Sequence, residues 1–67
     1  MSTYKITEIV GTSKKSFADA VQEGVKKASK TLRNLSWFEV VEQRGTIKDG
    51  EVGEFQVSIK IGFKLED

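Results

Sequence analysis

Two side chains in this sequence have the chemistry of a binding site: the lone tryptophan, Trp37, and the amide of Gln56, which stands between apolar neighbours. The chain has no histidine and no cysteine, so it lacks the groups that most general-base and nucleophile schemes use. Serines and threonines occur, but no base is spaced to activate them, and no two carboxylates stand out as a catalytic pair. We therefore predict that the protein is not an enzyme.

The same composition limits metals and partners. Without cysteine there are no disulfides or thiolate sites, and without histidine the commonest transition-metal ligand is missing. Carboxylates alone could still hold a hard cation, but no acidic run has the spacing of a calcium loop, and we predict no metal site. The 11 basic and 10 acidic residues give a net charge of +1. This charge implies no strong attraction to nucleic acid or to a membrane surface.

Apolar runs along the chain are short, two or three residues, and none is long enough to span a bilayer. Residues 1–5 carry no apolar signal region. These features predict a cytoplasmic protein without a membrane partner.

The length of 67 residues predicts a single domain over residues 1–67. A domain this small buries only about 60% of the surface that its unfolded chain exposes. Chains of this size usually need a disulfide, a metal or association with other copies. Composition excludes disulfides and the common metal ligands, so we predict that the chain is stabilised by association, as a homo-oligomer.

The elements that must position Trp37 and Gln56 follow from hydrophobic periodicity. Residues 4–10 are rich in β-formers and end at a turn signal, residues 11–13. A helical period then begins, with Ser16 as the predicted N-cap and with apolar residues spaced three and four apart. These are Phe17, Val21, Val25, Ala28 and Leu32, with Ala20 and Gly24 beside them. We predict a helix of about 17 residues, about 25 Å long, that stops near Asn34.

Two strands complete the pattern. Residues 35–47 are rich in aromatic and β-branched side chains, Asp49-Gly50 is a strong hairpin signal, and residues 55–65 alternate strictly between apolar and polar. The prediction is an α+β fold of order β-α-β-β, with one helix on one face of a three-stranded antiparallel sheet. The other sheet face is then bare.

Parity along the strands assigns side chains to these faces. Trp37 shares its parity with Glu39, Val41 and Gln43, opposite to Phe38 and Val40, so we expect Trp37 on the face away from the helix. Gln56 lies on that face by the alternation around it. The pattern alone leaves three roles open for Trp37. It could be a core residue, if a bulge changes its parity, it could pack against another subunit, or it could be a surface on which a ligand stacks. The pattern leaves Gln56, Arg44 and Lys64 as surface residues.

Several motifs occur in a fixed order and spacing: segment 10–13 before the amphipathic helix, residues 37–40 and 42–45 in the second strand, and residues 55–57 and 62–65 in the last strand. They resemble, respectively, the start, the central strand and the last strand of the dodecin family. The resemblance covers nearly the whole chain, in one register and without insertions.

That resemblance implies a sheet partly wrapped around the helix and a hollow dodecamer with cubic symmetry. It implies flavins stacked in pairs between symmetry-related copies of Trp37, with Gln56 bonded to the flavin ring and Arg44 near the phosphate of FMN. FMN is the expected ligand, with riboflavin or FAD as alternatives. Lys64 matches a position associated in some members with coenzyme A, although lysine lacks the bidentate fork of arginine.

Three functions follow as hypotheses. The first is a flavoprotein that stores, buffers and photoprotects flavins. The second is a structural cage or scaffold without a ligand. The third is a small nucleic-acid-binding module, against which the near-neutral charge argues.

Overall fold

The computed structural model describes residues 1–66 and confirms the predicted order of elements. Strand β1 spans Tyr4–Ser13, helix α1 Phe17–Ala28, strand β2 Leu35–Lys48 and strand β3 Glu51–Lys64. The three strands form one antiparallel sheet in the order β1-β3-β2. The strand with the cleanest alternation, β3, is therefore the central one, which is where a fully paired strand with one buried face belongs.

The core lies between α1 and the centre of the sheet. Val57, Ile59 and Ile61 of β3 are completely or almost completely buried, together with Ala20 of the helix. Six further apolar side chains pack around them: Ile9, Phe17, Val21, Val25, Ala28 and Leu35. Alternation along β3 thus sends every second side chain into the core and leaves the others on the opposite face.

Glycines allow the helix to lie very close to β1. A Cβ built on Gly11 would overlap the carbonyl oxygen of Ala20, and a Cβ on Gly24 would lie 3.2 Å from the Cα of Gly11. Both glycines are buried. Close backbone approach is a common reason for glycine inside a strand, and here it fixes the spacing between the two layers.

The sequence prediction of a turn at residues 11–13 is wrong. These residues continue β1, and Gly11 and Ser13 pair with Val57 and Phe55 of β3. The glycine that suggested a turn serves the contact with the helix instead. Strand β3 also begins earlier than predicted, at Glu51, and its first residues pair with β2, because the pairing with β1 reaches only to Phe55.

The helix begins where predicted and ends earlier. The Ser16 hydroxyl accepts a hydrogen bond from the backbone N–H of Asp19 at 2.9 Å, which confirms the N-cap. Helix α1 has 12 residues rather than about 17. Beyond it, the hydroxyls of Ser29 and Thr31 donate to the carbonyls of Lys26 and Ala28. Such side-chain bonds offer the backbone an alternative to continuing the helix.

Replacing Ser16 with alanine is expected to lower the free energy of unfolding by about 1 kcal/mol, because one N–H of the first turn loses its acceptor. Chemical denaturation at fixed protein concentration measures this loss. Ser16→Asp is the matched control, since it retains an acceptor at the cap and should keep most of the stability. Equal losses in both variants would contradict the capping role.

The β2–β3 hairpin confirms the predicted turn. Asp49 and Gly50 both have positive φ angles, 54° and 77°, as a two-residue hairpin turn of type I′ requires. The hairpin extends well past the helix, which packs mainly on β1 and β3, and the molecule is 51 Å long. On β2, Phe38 and Val40 lie on the helix side of the sheet but remain 51% and 42% exposed.

Irregular pairing along β2 corrects one predicted face. The register shifts between Val40 and Glu42, so one extra residue, Val41, sits between two rungs, as in a β-bulge. Beyond this shift Gln43 lies opposite Val57, a core residue, and not on the face away from the helix as parity predicted. The same shift turns Arg44 to that face, opposite Gln56.

Candidate functional site

The sheet face away from the helix, called here the outer face, carries all four predicted site residues. On β3 this face takes the even-numbered positions, from Glu54 to Lys64, because the odd-numbered Val57, Ile59 and Ile61 point into the core. Direct pairing adds Trp37 and Arg44 from β2, opposite Gly62 and Gln56. One chain thus presents a large aromatic and a polar cluster on the same uncovered surface.

Trp37 lies flat enough on the sheet to touch the backbone beneath it. A Cβ built on Gly62 would overlap the ring carbons Cε2 and Cζ2 of the indole, so only glycine leaves room for the ring there. The Tyr4 ring lies beside it, with centroids 5.0 Å apart and planes tilted by 56°. The residue Trp37 is 42% exposed. The interpretation of Trp37 as a core residue beneath the helix is therefore wrong.

The polar cluster is built around Arg44, Gln56, Ser58 and two carboxylates, and we refer to it as the Arg44 cluster. The Arg44 Nε donates to the Gln56 Oε1 at 3.0 Å. Its Nη1 donates to the Ser58 Oγ at 3.0 Å and to the Glu42 Oε1 at 2.7 Å. The Gln56 Nε2 donates to the Glu54 Oε1 at 3.0 Å.

The exposure of each partner side chain indicates which contacts hold Arg44 in place. Ser58 is only 8% exposed, so its hydroxyl is a fixed acceptor at the base of the cluster. The Arg44 and Glu42 side chains are 38% and 64% exposed, and ion pairs in such surroundings contribute about 1 kcal/mol or less. The arginine is therefore positioned mainly by its half-buried contacts with Gln56 and Ser58.

The structure separates the indole from the Arg44 cluster within one chain. Gly62, beneath Trp37, and Gln56 are six residues apart on β3, a separation of roughly 20 Å at the rise of an extended strand. Lys64 lies beyond Trp37, at the far end of β3, opposite Tyr4. The four predicted residues thus form two groups: Trp37 with Lys64, and Arg44 with Gln56.

Sequence reasoning missed five members of these groups. They are Tyr4, Gly62, Glu42, Glu54 and Ser58. The signal for Glu54 and Ser58 was present, because both share the parity of Gln56 on β3. The signal for Tyr4 and Gly62 was the strand pairing itself, which a single sequence does not provide.

Within residues 1–66, no three or more histidine, cysteine, aspartate or glutamate side chains come together as a group that could hold a metal ion. No helix in this part of the chain is both long and apolar enough to cross a bilayer.

Comparisons with known proteins place this geometry among relatives. A family model described as Dodecin matches residues 3–66. A protein named Dodecin from Thermus thermophilus is 50% identical over 64 residues, which cover 96% of this chain and 93% of the relative.

Solved structures agree with that similarity. The structure of dodecin from Streptomyces coelicolor matches with a TM-score of 0.95 at 52% identity, covering 98% of this chain and 94% of the other. The structure of a calcium-chelating antigen from Mycobacterium tuberculosis, a calcium dodecin with a novel calcium-binding site, matches with a TM-score of 0.85 at 27% identity. It covers 97% of this chain and 93% of the other.

Proposed function

Because this chain belongs to the dodecin family, we propose that it is a flavin-binding protein, without catalytic activity, that stores, buffers and photoprotects FMN or riboflavin in a homo-dodecamer. The observation that carries the proposal is the half-exposed indole of Trp37, which lies on Gly62 on the outer face. A large flat aromatic surface held open to a partner is suited to stacking on a planar ring.

Assembly completes the proposed site. One indole covers only one side of a ring, whereas a two-fold axis places a second, identical indole opposite the first. The same contact covers the bare outer face and its exposed apolar side chains Tyr4, Ile6 and Val10. Within one chain Gln56 lies six residues from Gly62 along β3, too far for one copy to offer both the amide and the indole to one ring. We therefore infer that the site is shared between copies.

The remaining residues have separable proposed roles. The Gln56 amide offers one acceptor and one donor to the N–H and C=O edge of the flavin ring. Among residues 1–66, the contacts of the Arg44 guanidinium use Nε and Nη1. We therefore assign its Nη2 group to the phosphate of FMN. Lys64 is exposed at the end of β3 and is the residue that we assign to coenzyme A or to another anionic second ligand.

Titration of riboflavin and FMN with the purified full chain tests the proposal. Flavin fluorescence should be quenched, since an indole in contact with an excited flavin donates an electron to it. The assembled protein should carry the bound flavin through size-exclusion chromatography at a mass near that of 12 chains, as the family resemblance implies. An assembled protein that leaves flavin fluorescence unchanged would favour a cage without a ligand.

Replacing Gln56 with alanine is expected to weaken riboflavin binding by about 2- to 10-fold, the contribution of a neutral hydrogen bond. The same titration measures this loss. Thr12→Ala is the matched control, because Thr12 is the β1 neighbour of Gln56 on the outer face and is exposed. Equal losses in both variants would remove Gln56 from the proposed site.

A further inference from the structure

The amide of Gln56 lies between two partners of opposite hydrogen-bonding character. Its oxygen accepts from the Arg44 guanidinium, and its nitrogen donates to the Glu54 carboxylate, both at 3.0 Å. A guanidinium only donates and an ionised carboxylate only accepts. Turning the amide over would place N–H against N–H and oxygen against oxygen, so the two charged neighbours permit a single orientation.

Strand geometry places both neighbours without help from the rest of the fold. Arg44 is the direct partner of Gln56 across the β2–β3 pair, and Glu54 precedes Gln56 by two residues on the same strand and face. Arg44 is itself held by the buried hydroxyl of Ser58. The two contacts that hold the Gln56 amide are therefore part of the sheet and exist before any ligand binds.

The Gln56 amide, held between Arg44 and Glu54, still has one free hydrogen-bonding position on its oxygen and one on its nitrogen. Its oxygen has a second lone pair and its nitrogen a second hydrogen. A ligand edge that matches both must present a ring N–H beside a C=O. A ring with an acceptor or a methyl group in place of that N–H would meet an oxygen that is held in place and cannot turn away.

We propose that Arg44 and Glu54 are positioning residues that lock the Gln56 amide in one orientation, and that this lock makes the site selective for planar rings with an N–H next to a carbonyl. The inference rests on the proposed function, because it concerns the same site. Under this inference Arg44 positions the amide that binds the flavin ring, in addition to binding the phosphate of FMN. Glu54 becomes a further residue of the site.

Two ligands test the fixed orientation of the amide directly. They are riboflavin and 3-methylriboflavin, in which a methyl group replaces the hydrogen of the ring N–H. The full wild-type chain should bind riboflavin about tenfold more tightly than 3-methylriboflavin. In Glu54→Ala the amide loses the partner of its nitrogen and is held only by Arg44 at its oxygen, so it can swing away from the methyl group. The ratio of the two affinities should then fall toward that of Gln56→Ala, where no amide remains.

Control variants separate positioning from stacking and from folding. Glu54→Gln keeps an acceptor for the Gln56 nitrogen and should retain most of the ratio. Trp37→Phe should weaken both ligands together and leave the ratio unchanged. If Glu54→Ala does not fold, as judged by circular dichroism, Arg44→Lys takes its place, since lysine loses the directed Nε contact and should also lower the ratio.

An unchanged tenfold ratio in the folded Glu54→Ala or Arg44→Lys variant overturns the proposed lock. Equal affinity of the wild-type chain for both rings overturns the lock and leaves flavin binding intact. Absence of any riboflavin binding by the wild-type chain overturns the proposed function and the lock together.

Discussion

Trp37→Ala should cost the protein most of its affinity for riboflavin, by roughly 5- to 150-fold. This range corresponds to about 1–3 kcal/mol, the loss measured when an aromatic side chain that stacks on a nucleic-acid base is removed. The half-exposed indole offers more flat apolar surface than the other outer-face residues, and burial of a ring adds about 25 cal/mol per Å². Fluorescence titration at fixed protein and salt concentrations measures the loss.

Trp37→Phe is the matched variant for this experiment. Phenylalanine retains a stacking surface but is a much poorer electron donor, so riboflavin should still bind while its fluorescence is quenched less. Tyr4→Phe serves as a second control, since it keeps the ring that lies 5.0 Å from the indole. The leading role of Trp37 is contradicted if Arg44→Ala weakens riboflavin binding more than Trp37→Ala does.

Gly11→Ala is expected to have the largest effect on folding, because the added Cβ would overlap the backbone carbonyl of Ala20. A backbone atom cannot rotate away as a side chain can, so the helix must move off the sheet or β1 must bend. Overpacking of this kind costs about 1–3 kcal/mol or more. The midpoint of urea unfolding of the flavin-free protein should fall accordingly.

Gly24→Ala provides the comparison on the opposite side of the same contact. Its Cβ would lie 3.2 Å from the Cα of Gly11, a milder conflict, and alanine inside a helix gains about 1 kcal/mol over glycine. Gly24→Ala should therefore lower the unfolding midpoint less than Gly11→Ala. A Gly11→Ala protein as stable as wild type would show that the spacing between helix and sheet is not tightly set.

The parts of this fold that the sequence predicts are those controlled by local periodicity. The alternation on β3, the Ser16 cap and the Asp49-Gly50 turn each depend on residues close together in the chain, and each is confirmed. The extension of β1 through Gly11 depends on a helix that packs against it from elsewhere in the sequence. No local pattern around residue 11 carries that information.

The site residues also divide into those that local alternation predicts and those that depend on contacts distant in the sequence. Parity predicts that Trp37 and Gln56 share the outer face, and the structure confirms this placement. Arg44 reaches that face only because the register shifts between Val40 and Glu42. Simple alternation misplaces Gln43 for the same reason. A one-residue shift in register moves the side chains that follow it to the opposite face of the sheet. A single sequence does not show where such a shift occurs.

The glycine under the indole determines how far the ring stands above its own sheet. With hydrogen in place of a side chain at position 62, the indole rests almost on the backbone. If two copies pair across a rotation axis as proposed, any lift of one ring is repeated by the other, so the gap between the two indoles narrows by twice the displacement. Residue 62 would then act as a spacer whose size sets the thickness of molecule that the gap admits.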